Sequence, residues 1–197
     1  IDTDRVANEL RAVGYAALAL HGDLEQKQRD QTLVCFANRS ASVLVATDVA
    51  ARGLDIESLD LVINYQIASE LEVHTHRIGR TGRAGAQGIA CSLYTHRENH
   101  KIGLLEDYLD EKFERNNLPD TALLDQPVFY PPMVTLHIGG GKKQKLRAGD
   151  IVGALTGVDG IPGAAIGRIQ VGDNWSYVAV ANEHGKTAFN KLNEGKL

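Results

Sequence analysis

Residues 76–83 read HRIGRTGR, a segment with three arginines and two glycines in eight positions. Arginine keeps its positive charge at any working pH, and its planar guanidinium group presents a fork of donors that fits phosphate. Gly79 and Gly82 lack side chains, so a phosphate chain or a tight turn can come close to the backbone. The segment therefore predicts electrostatic stabilisation of a transferring phosphoryl group. A solvated loop and a general nucleic-acid patch are the alternatives that these eight residues leave open.

The segment upstream narrows these alternatives. Residues 46–55 read ATDVAARGLD and follow the apolar run Val43-Leu44-Val45. In this order and spacing, the two segments resemble motifs V and VI of the DEAD-box RNA helicases of superfamily two. The resemblance implies that residues 1–115 form the second RecA-like domain of such an enzyme. Its fold is α/β, with a parallel sheet that has helices on both faces.

Hydrophobic periodicity predicts the same class of fold. Short apolar runs suit strands that are buried on both faces, and helices between them imply parallel pairing. Binding sites in such sheets form at the carboxyl ends of the strands, which is where ATDVAARGLD begins. The predicted strands cover residues 15–20, 42–46, 60–65 and 87–94, and the predicted helices cover residues 3–13, 25–37, 70–77 and 97–113.

A third segment adds candidate RNA contacts. Residues 21–29 read HGDLEQKQR, which matches the HGD and QxxR pattern of the same family. The resemblance implies that Gly22, Gln26 and Arg29 touch the RNA backbone. A helix N-terminus also favours phosphate through its free amides and its dipole. The alternative is an ordinary helix cap at Asp23 followed by solvated polar residues.

Motif V carries four further candidates by the same resemblance. Thr47 is assigned to an RNA phosphate, and Asp55 is assigned to the ribose of ATP. A carboxylate can accept hydrogen bonds from both ribose hydroxyls. Gly53 allows the backbone to approach the nucleotide. Arg52 is expected at the cleft between the two helicase domains, where it couples them.

Motif VI supplies the predicted catalytic residues. Arg80 and Arg83 match the arginine fingers of the family, which face the γ-phosphate held by the other domain and so count as both catalytic and ATP-binding. His76 and Arg77 are expected to couple the ATP site to the RNA site. For Arg77 a structural ion pair is the alternative.

Charge divides the chain into two different halves. The net charge is −4 overall, but residues 1–125 carry −7 and residues 126–197 carry +3. Four of the eight basic residues in the second half fall in the run KKQKLR at 142–147. Such asymmetry is expected of an attached nucleic-acid-binding module.

The second half also has its own pattern of elements. Residues 116–132 hold four of the five prolines and predict an extended linker. Residues 133–197 then predict a βαββα order, which resembles an RNA-recognition motif that is incomplete at its C-terminus. The segments VTLHIGGGKK, RAGDIVGALTG and IGRI resemble the RNA-binding domain of bacterial DbpA/YxiN-type helicases. That resemblance implies binding to a hairpin of large-subunit ribosomal RNA and a role in ribosome assembly.

Two surfaces of this small α+β domain are candidates for RNA contact. One is the sheet face, where His137, Trp175 and Tyr177 can stack bases. The other is the basic loop after Gly139-Gly140-Gly141, whose charge suits phosphates. The sequence leaves open which surface is used. The residues of the second surface are Lys142, Lys143, Lys145 and Arg147, together with Arg168.

Several expectations concern what the 197 residues do not contain. They include no G-x-x-x-x-G-K-[ST] loop and no Asp-Glu-Ala-Asp sequence. We therefore expect the first RecA-like domain to lie outside this chain, to be its partner, and to supply most ligands of Mg²⁺ and most of the ATP site. The chain alone is expected to hydrolyse no ATP. A non-catalytic RNA-binding adaptor and a DNA-directed superfamily-two helicase are the alternatives.

The remaining expectations concern the environment of the protein. Cys35 and Cys91 lie in apolar contexts, which predicts buried, reduced thiols and a cytoplasmic location. No histidine stands at a zinc-type spacing from them, so no metal site is predicted. No apolar run is long enough for a membrane helix.

Overall fold

A computed structural model describes residues 3–51, 59–82 and 87–194. Four of the predicted site residues lie outside these ranges. They are Arg52, Gly53, Asp55 and Arg83.

The chain divides into two compact units that do not follow the predicted boundaries. One unit joins Ile1–Ala50 to Pro127–Leu197, and the other comprises Ala51–Gln126. Packing thus places the start of the α/β sequence with the small α+β domain. The division at 115 and 132, which rests on sequence pattern and resemblance, stays a prediction.

The first unit begins with alternating helices and strands. Strands β1 and β2 pair in parallel, with Ala17 opposite Val43 and Leu20 opposite Ala46. This parallel pairing confirms the predicted class of fold. The elements are α1 (Thr3–Ala12), β1 (Ala17–Leu20), α2 (Gln26–Ala37), β2 (Val43–Ala46) and the short α3 (Asp48–Ala51).

The second unit is also built from parallel strands and helices. Strand β3 pairs in parallel with β4, and Ile67, Ile102 and Leu105 form a small buried core. Cys91 on β4 is exposed and Cys35 is half-buried, so the expectation of two buried thiols is wrong for Cys91. The elements are β3 (Leu61–Asn64), α4 (Leu71–Ile78), β4 (Ile89–Ser92) and α5 (Asn99–Leu109).

The α+β part of the first unit confirms the predicted βαββα order. Its antiparallel sheet has the order β5-β7-β6, and α6 and α7 pack on one face. Val178 and Val180 of the central strand meet Ile151 and Leu155 of α6 in the core. The elements are β5 (Met133–Ile138), α6 (Ala148–Thr156), β6 (Ile166–Val171), β7 (Ser176–Ala181) and α7 (Gly185–Glu194).

Among the described residues, no helix has the length and apolar character needed to cross a membrane.

Candidate nucleic-acid interface

The carboxyl ends of β1 and β2 bring two predicted RNA contacts to one edge. The amide of Thr47 donates to the carbonyl of Leu20 at 3.1 Å, so the residues that follow the two strands lie side by side. Gly22, just beyond β1, is exposed. The hydroxyl of Thr47 accepts from the amide of Ala50 at 3.4 Å and caps α3. Thr47 therefore reaches the edge while its hydroxyl also has a local partner.

Helix α2 starts at the same edge because it follows β1 directly. Its cap is Glu25, which forms a capping box with Gln28, and not Asp23 as the alternative interpretation had it. Gln26 is exposed and donates to the carboxylate of Asp30 at 2.7 Å. The polar start of α2 is thus available to a ligand at the carboxyl edge of the sheet.

Arg77 has a structural task in the second unit. Its Nη1 atom donates to the carbonyl oxygen of Gln66 at 2.7 Å and to Oδ1 of Asn64 at 3.3 Å. Asn64 is buried at the end of β3. These bonds fasten α4 to the carboxyl end of that strand. The predicted coupling role of Arg77 and its structural alternative both stay predictions.

The backbone around Arg80 is held in a fixed turn. The amide of Leu59 donates to the carbonyl of Arg80 at 2.9 Å, and the hydroxyl of Thr81 donates back to the carbonyl of Leu59. Gly82 follows with a φ of +66°, in the left-handed region that glycine enters without strain. The arginine is half-buried. The backbone of Arg80 is therefore held in place by hydrogen bonds. A preorganised backbone suits a positive charge that is to stabilise a phosphate.

His74 is a buried polar residue that the sequence analysis missed. It lies on α4 next to the ring of Phe113, with centroids 6.3 Å apart. Burial lowers the pKa of His74, and Arg77 lowers that pKa further. His74 and Arg77 are three residues apart on α4, so their side chains lie on the same face of the helix. His76, by contrast, is exposed.

The basic loop is rigidly attached to the turn between β6 and β7. The amides of Lys142 and Lys143 donate to the carbonyls of Gly172 and Asp173 at 2.8 and 2.9 Å. Lys145 has a φ of +62°, and its side chain is exposed like those of its basic neighbours. Leu146 anchors the end of the loop in the core. The charges of the loop are therefore presented on a fixed backbone.

The aromatic candidates do not share the same exposure. Tyr177 is only 4% exposed and lies beneath Trp175 and His137, whose ring centroids are 4.9 and 5.0 Å from its own. The outer rings are half-buried Trp175 and exposed His137. A base arriving at this face meets those two rings, whereas Tyr177 supports them.

The two candidate surfaces are neighbours. The ring of Trp175 packs on Gly172, where an added Cβ would lie 2.9 Å from it, and the same Gly172 accepts from the basic loop. Buried Ser176 adds a hydrogen bond to the carbonyl of Gly140 at 2.8 Å. Arg168 is exposed on β6, between the residues where the ladder shifts register. The sequence analysis singled out Gly140 but not Gly172 or Ser176, whose roles depend on contacts between distant segments.

Comparison with protein families matches two regions of the chain. Residues 2–85 match the helicase conserved C-terminal domain, and residues 135–197 match the DbpA RNA binding domain. Among solved structures, the chain is similar to the Escherichia coli DEAD-box protein SrmB, with a TM-score of 0.56 and 32% identity. The similarity covers 66% of this chain and 74% of that one.

This chain belongs to the DEAD-box family.

Two curated DEAD-box relatives share both matched regions. The chain is 50% identical to ATP-dependent RNA helicase DbpA of Escherichia coli K12 over 100% of its length. It is 36% identical to the DbpA of Bacillus subtilis 168 over 92% of its length. It spans 42% of the length of each relative. The predicted family and its DbpA/YxiN type are thereby confirmed.

The structure of a second RNA helicase supports the predicted RecA-like fold. Prp28 of Chaetomium thermophilum bound to ADP has a TM-score of 0.51 and 37% identity, covering 55% of this chain and 27% of that one.

Proposed function

We propose that this chain is the part of an ATP-dependent RNA helicase that contributes arginine fingers and binds the RNA target. The observation that carries the proposal is the basic loop, whose exposed lysines stand on a backbone held by hydrogen bonds inside the region matched to the DbpA RNA binding domain. A backbone that is already ordered loses less conformational entropy when its lysines bind phosphates. The link to ATP is supported by the two relatives, each of which is an ATP-dependent RNA helicase.

The target we propose is a hairpin of large-subunit ribosomal RNA, and the process is assembly of that subunit in the cytoplasm. The support for this finer proposal is the extended similarity to the two DbpA relatives across the basic loop and both flanking elements. Bound there, the protein would separate a nearby short duplex.

The proposed chemistry divides between two domains. A first RecA-like domain would hold ATP and Mg²⁺, and hydrolysis there would transfer the γ-phosphoryl group to water and release ADP. The 197 residues contain no phosphate-binding loop of their own. Arg80 and Arg83 stabilise the charge that develops on that group, and Asp55 accepts from the ribose. Thr47, Gly22, Gln26 and Arg29 hold the RNA backbone. The chain alone is therefore expected to bind RNA and to hydrolyse no ATP.

Charge reversal in the basic loop tests the proposal. Replacing Lys142, Lys143 and Lys145 by glutamate is expected to weaken binding of an RNA hairpin and to lower its salt slope by about one for each phosphate that is no longer neutralised. Binding is measured by fluorescence anisotropy over a series of salt concentrations. The matched control compares K142E with K186E, since Lys186 is an exposed lysine on α7 of the same domain.

Two outcomes contradict the proposal. An unchanged affinity in the triple variant would remove the basic loop from the interface and leave Trp175 and His137 as the candidates. Equal affinity for a DNA hairpin at the same salt concentration would favour the DNA-directed alternative, because only RNA offers 2′-hydroxyl groups to the protein.

A further inference from the structure

The outer face of the three-stranded sheet is the side that α6 and α7 leave uncovered. Register places Thr135 opposite Ala179 and His137 opposite Tyr177 on this face. An added Cβ at Gly167 would lie 2.7 Å from the Met133 side chain and 3.2 Å from Ala179, so these residues share the face. In RNA-recognition motifs the sheet is where bases stack. A base can reach these residues only where no other part of the chain covers them.

The centre of this face is covered by the end of α2 and the turn that follows it, residues 35–41, which we call the corner after α2. The hydroxyl oxygens of Ser40 and Thr135 are 2.7 Å apart, and Nδ2 of Asn38 donates to the Thr135 hydroxyl at 3.1 Å. Both contacts lie within the first compact unit. Thr135 is thus the common partner of two side chains that are more than ninety positions away in sequence.

Cys35 makes a third contact with the same threonine. Burial raises the pKa of the Cys35 thiol, and its hydrogen bond with Thr135 opposes that rise. Asn38 is only 5% exposed, and Ala41 beside it is also buried. The contact between the corner and the sheet therefore excludes water from the polar side chains that meet there.

The corner is shaped so that its side chains converge. Arg39 has a φ of +58°, a left-handed conformation that costs a non-glycine residue free energy of order 1 kcal/mol. Its amide donates to Phe36 at 2.9 Å, and the amide of Ser40 donates to Cys35 at 2.9 Å. This turn brings Asn38 and Ser40 to one hydroxyl group. Strain of this kind persists where surrounding contacts hold it.

A second contact joins the loop after α1 to the segment just before β5. An added Cβ at Gly14 would lie 3.5 Å from a methyl group of Val128, just before β5. The segment that contains Val128 is itself fastened to the sheet, because Asn182 donates to the carbonyls of Pro131 and Pro132 at 3.2 and 2.9 Å.

We propose that the outer face of this sheet is an intramolecular docking surface for the corner at residues 35–41, and that the sheet centre at Thr135 and Ala179 is closed to RNA bases. Ala179 is 1% exposed, so a base has no surface to stack on there. RNA contact is then confined to the end of the sheet that carries the basic loop, Trp175 and His137. The docking itself is independent of RNA, whereas this last consequence rests on the proposed function.

Thiol alkylation tests the docking without RNA. In the unmodified chain, Cys35 is expected to react with iodoacetamide about tenfold more slowly than exposed Cys91, because the contact with Thr135 restricts the reagent's access to the half-buried thiol. T135R is expected to remove most of this protection. T156R on the exposed side of α6 is the control and leaves Cys35 protected. Equal rates for Cys35 and Cys91 in the unmodified chain would overturn the proposal.

A designed disulfide provides the second test. In a background with C35S and C91S, the pair S40C and T135C is expected to form a disulfide with oxidised glutathione, since the two hydroxyl oxygens they replace are 2.7 Å apart. The control pair S40C and H137C places the second thiol two residues farther along the same face of β5. Mass spectrometry after trypsin digestion measures the cross-link. If the two pairs form it at equal rates, the docking is wrong even where the basic loop still binds RNA.

Discussion

At the scale of single residues, Glu106 shows how one buried carboxylate organises a chain segment. It is 6% exposed at the inner face of α5, and it accepts from the amide of Phe113 and from Arg115, each at 3.0 Å. Lys112 lies 3.5 Å from the same carboxylate. The amide of Phe113 lowers the pKa of Glu106, burial opposes this, and Arg115 and Lys112 lower the pKa further. Glu106 therefore fastens residues 112–115 to the helix.

Replacing Glu106 by glutamine is expected to destabilise the second unit at neutral pH. A lowered pKa in the folded state means that the carboxylate stabilises the fold above its ordinary pKa of about 4.5 and that this contribution disappears as pH falls through the folded value. The unfolding curves of E106Q and the unmodified chain should therefore differ at neutral pH and converge in acid. E111Q is the control, since Glu111 is exposed. A difference that persists undiminished in acid would contradict this role of the carboxylate.

At the scale of elements, the basic loop shows that backbone geometry matters as much as charge. An added Cβ at Gly141 would lie 2.3 Å from the carbonyl oxygen of Gly172, the atom that accepts from Lys142. At Gly139, two residues earlier, an added Cβ meets nothing within 4 Å. The glycine at 141 therefore permits the close approach that holds the lysines in place.

This contrast gives a test that changes no charge. G141A is expected to destabilise the α+β domain by about 1–3 kcal/mol, because two backbone segments must separate. Hairpin binding should weaken in parallel. G139A is expected to leave both quantities close to those of the unmodified chain. Denaturant unfolding followed by Trp175 fluorescence measures stability, and equal effects of the two substitutions would rule out this origin of the loop's rigidity.

At the scale of the whole molecule, the proposed division of labour separates RNA binding from catalysis. In the longer protein that includes a first RecA-like domain, R83A is expected to lower RNA-stimulated ATP hydrolysis by about a thousandfold or more, since an arginine finger stabilises charge in the transition state. Hairpin binding by the α+β domain should remain unchanged. R80A should behave in the same way.

Phosphate release and hairpin affinity are the two measurements needed. Loss of hairpin binding in R83A would contradict the separation of roles. ATP hydrolysis by the 197-residue chain alone would contradict the dependence on a first domain. Full-length protein that binds the hairpin but hydrolyses no ATP would favour the non-catalytic adaptor.

The family, the class of fold and the order of the main elements can be predicted from the amino-acid sequence without a structure. Motifs of this length are read from residue type and spacing, so ATDVAARGLD and HRIGRTGR indicated a DEAD-box protein without any knowledge of packing. Periodicity likewise located the strands and the longer helices to within a few residues, because apolar spacing reflects which side of an element is buried. The basic loop could also be recognised from the sequence, because its charges form a continuous local run.

Which of these residues are accessible, and which hold other residues in place, depends on how the chain packs. Arg77 fastens α4 to β3, Tyr177 supports two other rings, and Thr135 meets the corner after α2. None of these roles has a local signature, since each depends on a partner that is distant along the chain or on what covers a sheet face. Burial and hydrogen bonding are properties of the packed chain. They decide how much of the predicted surface an RNA can reach.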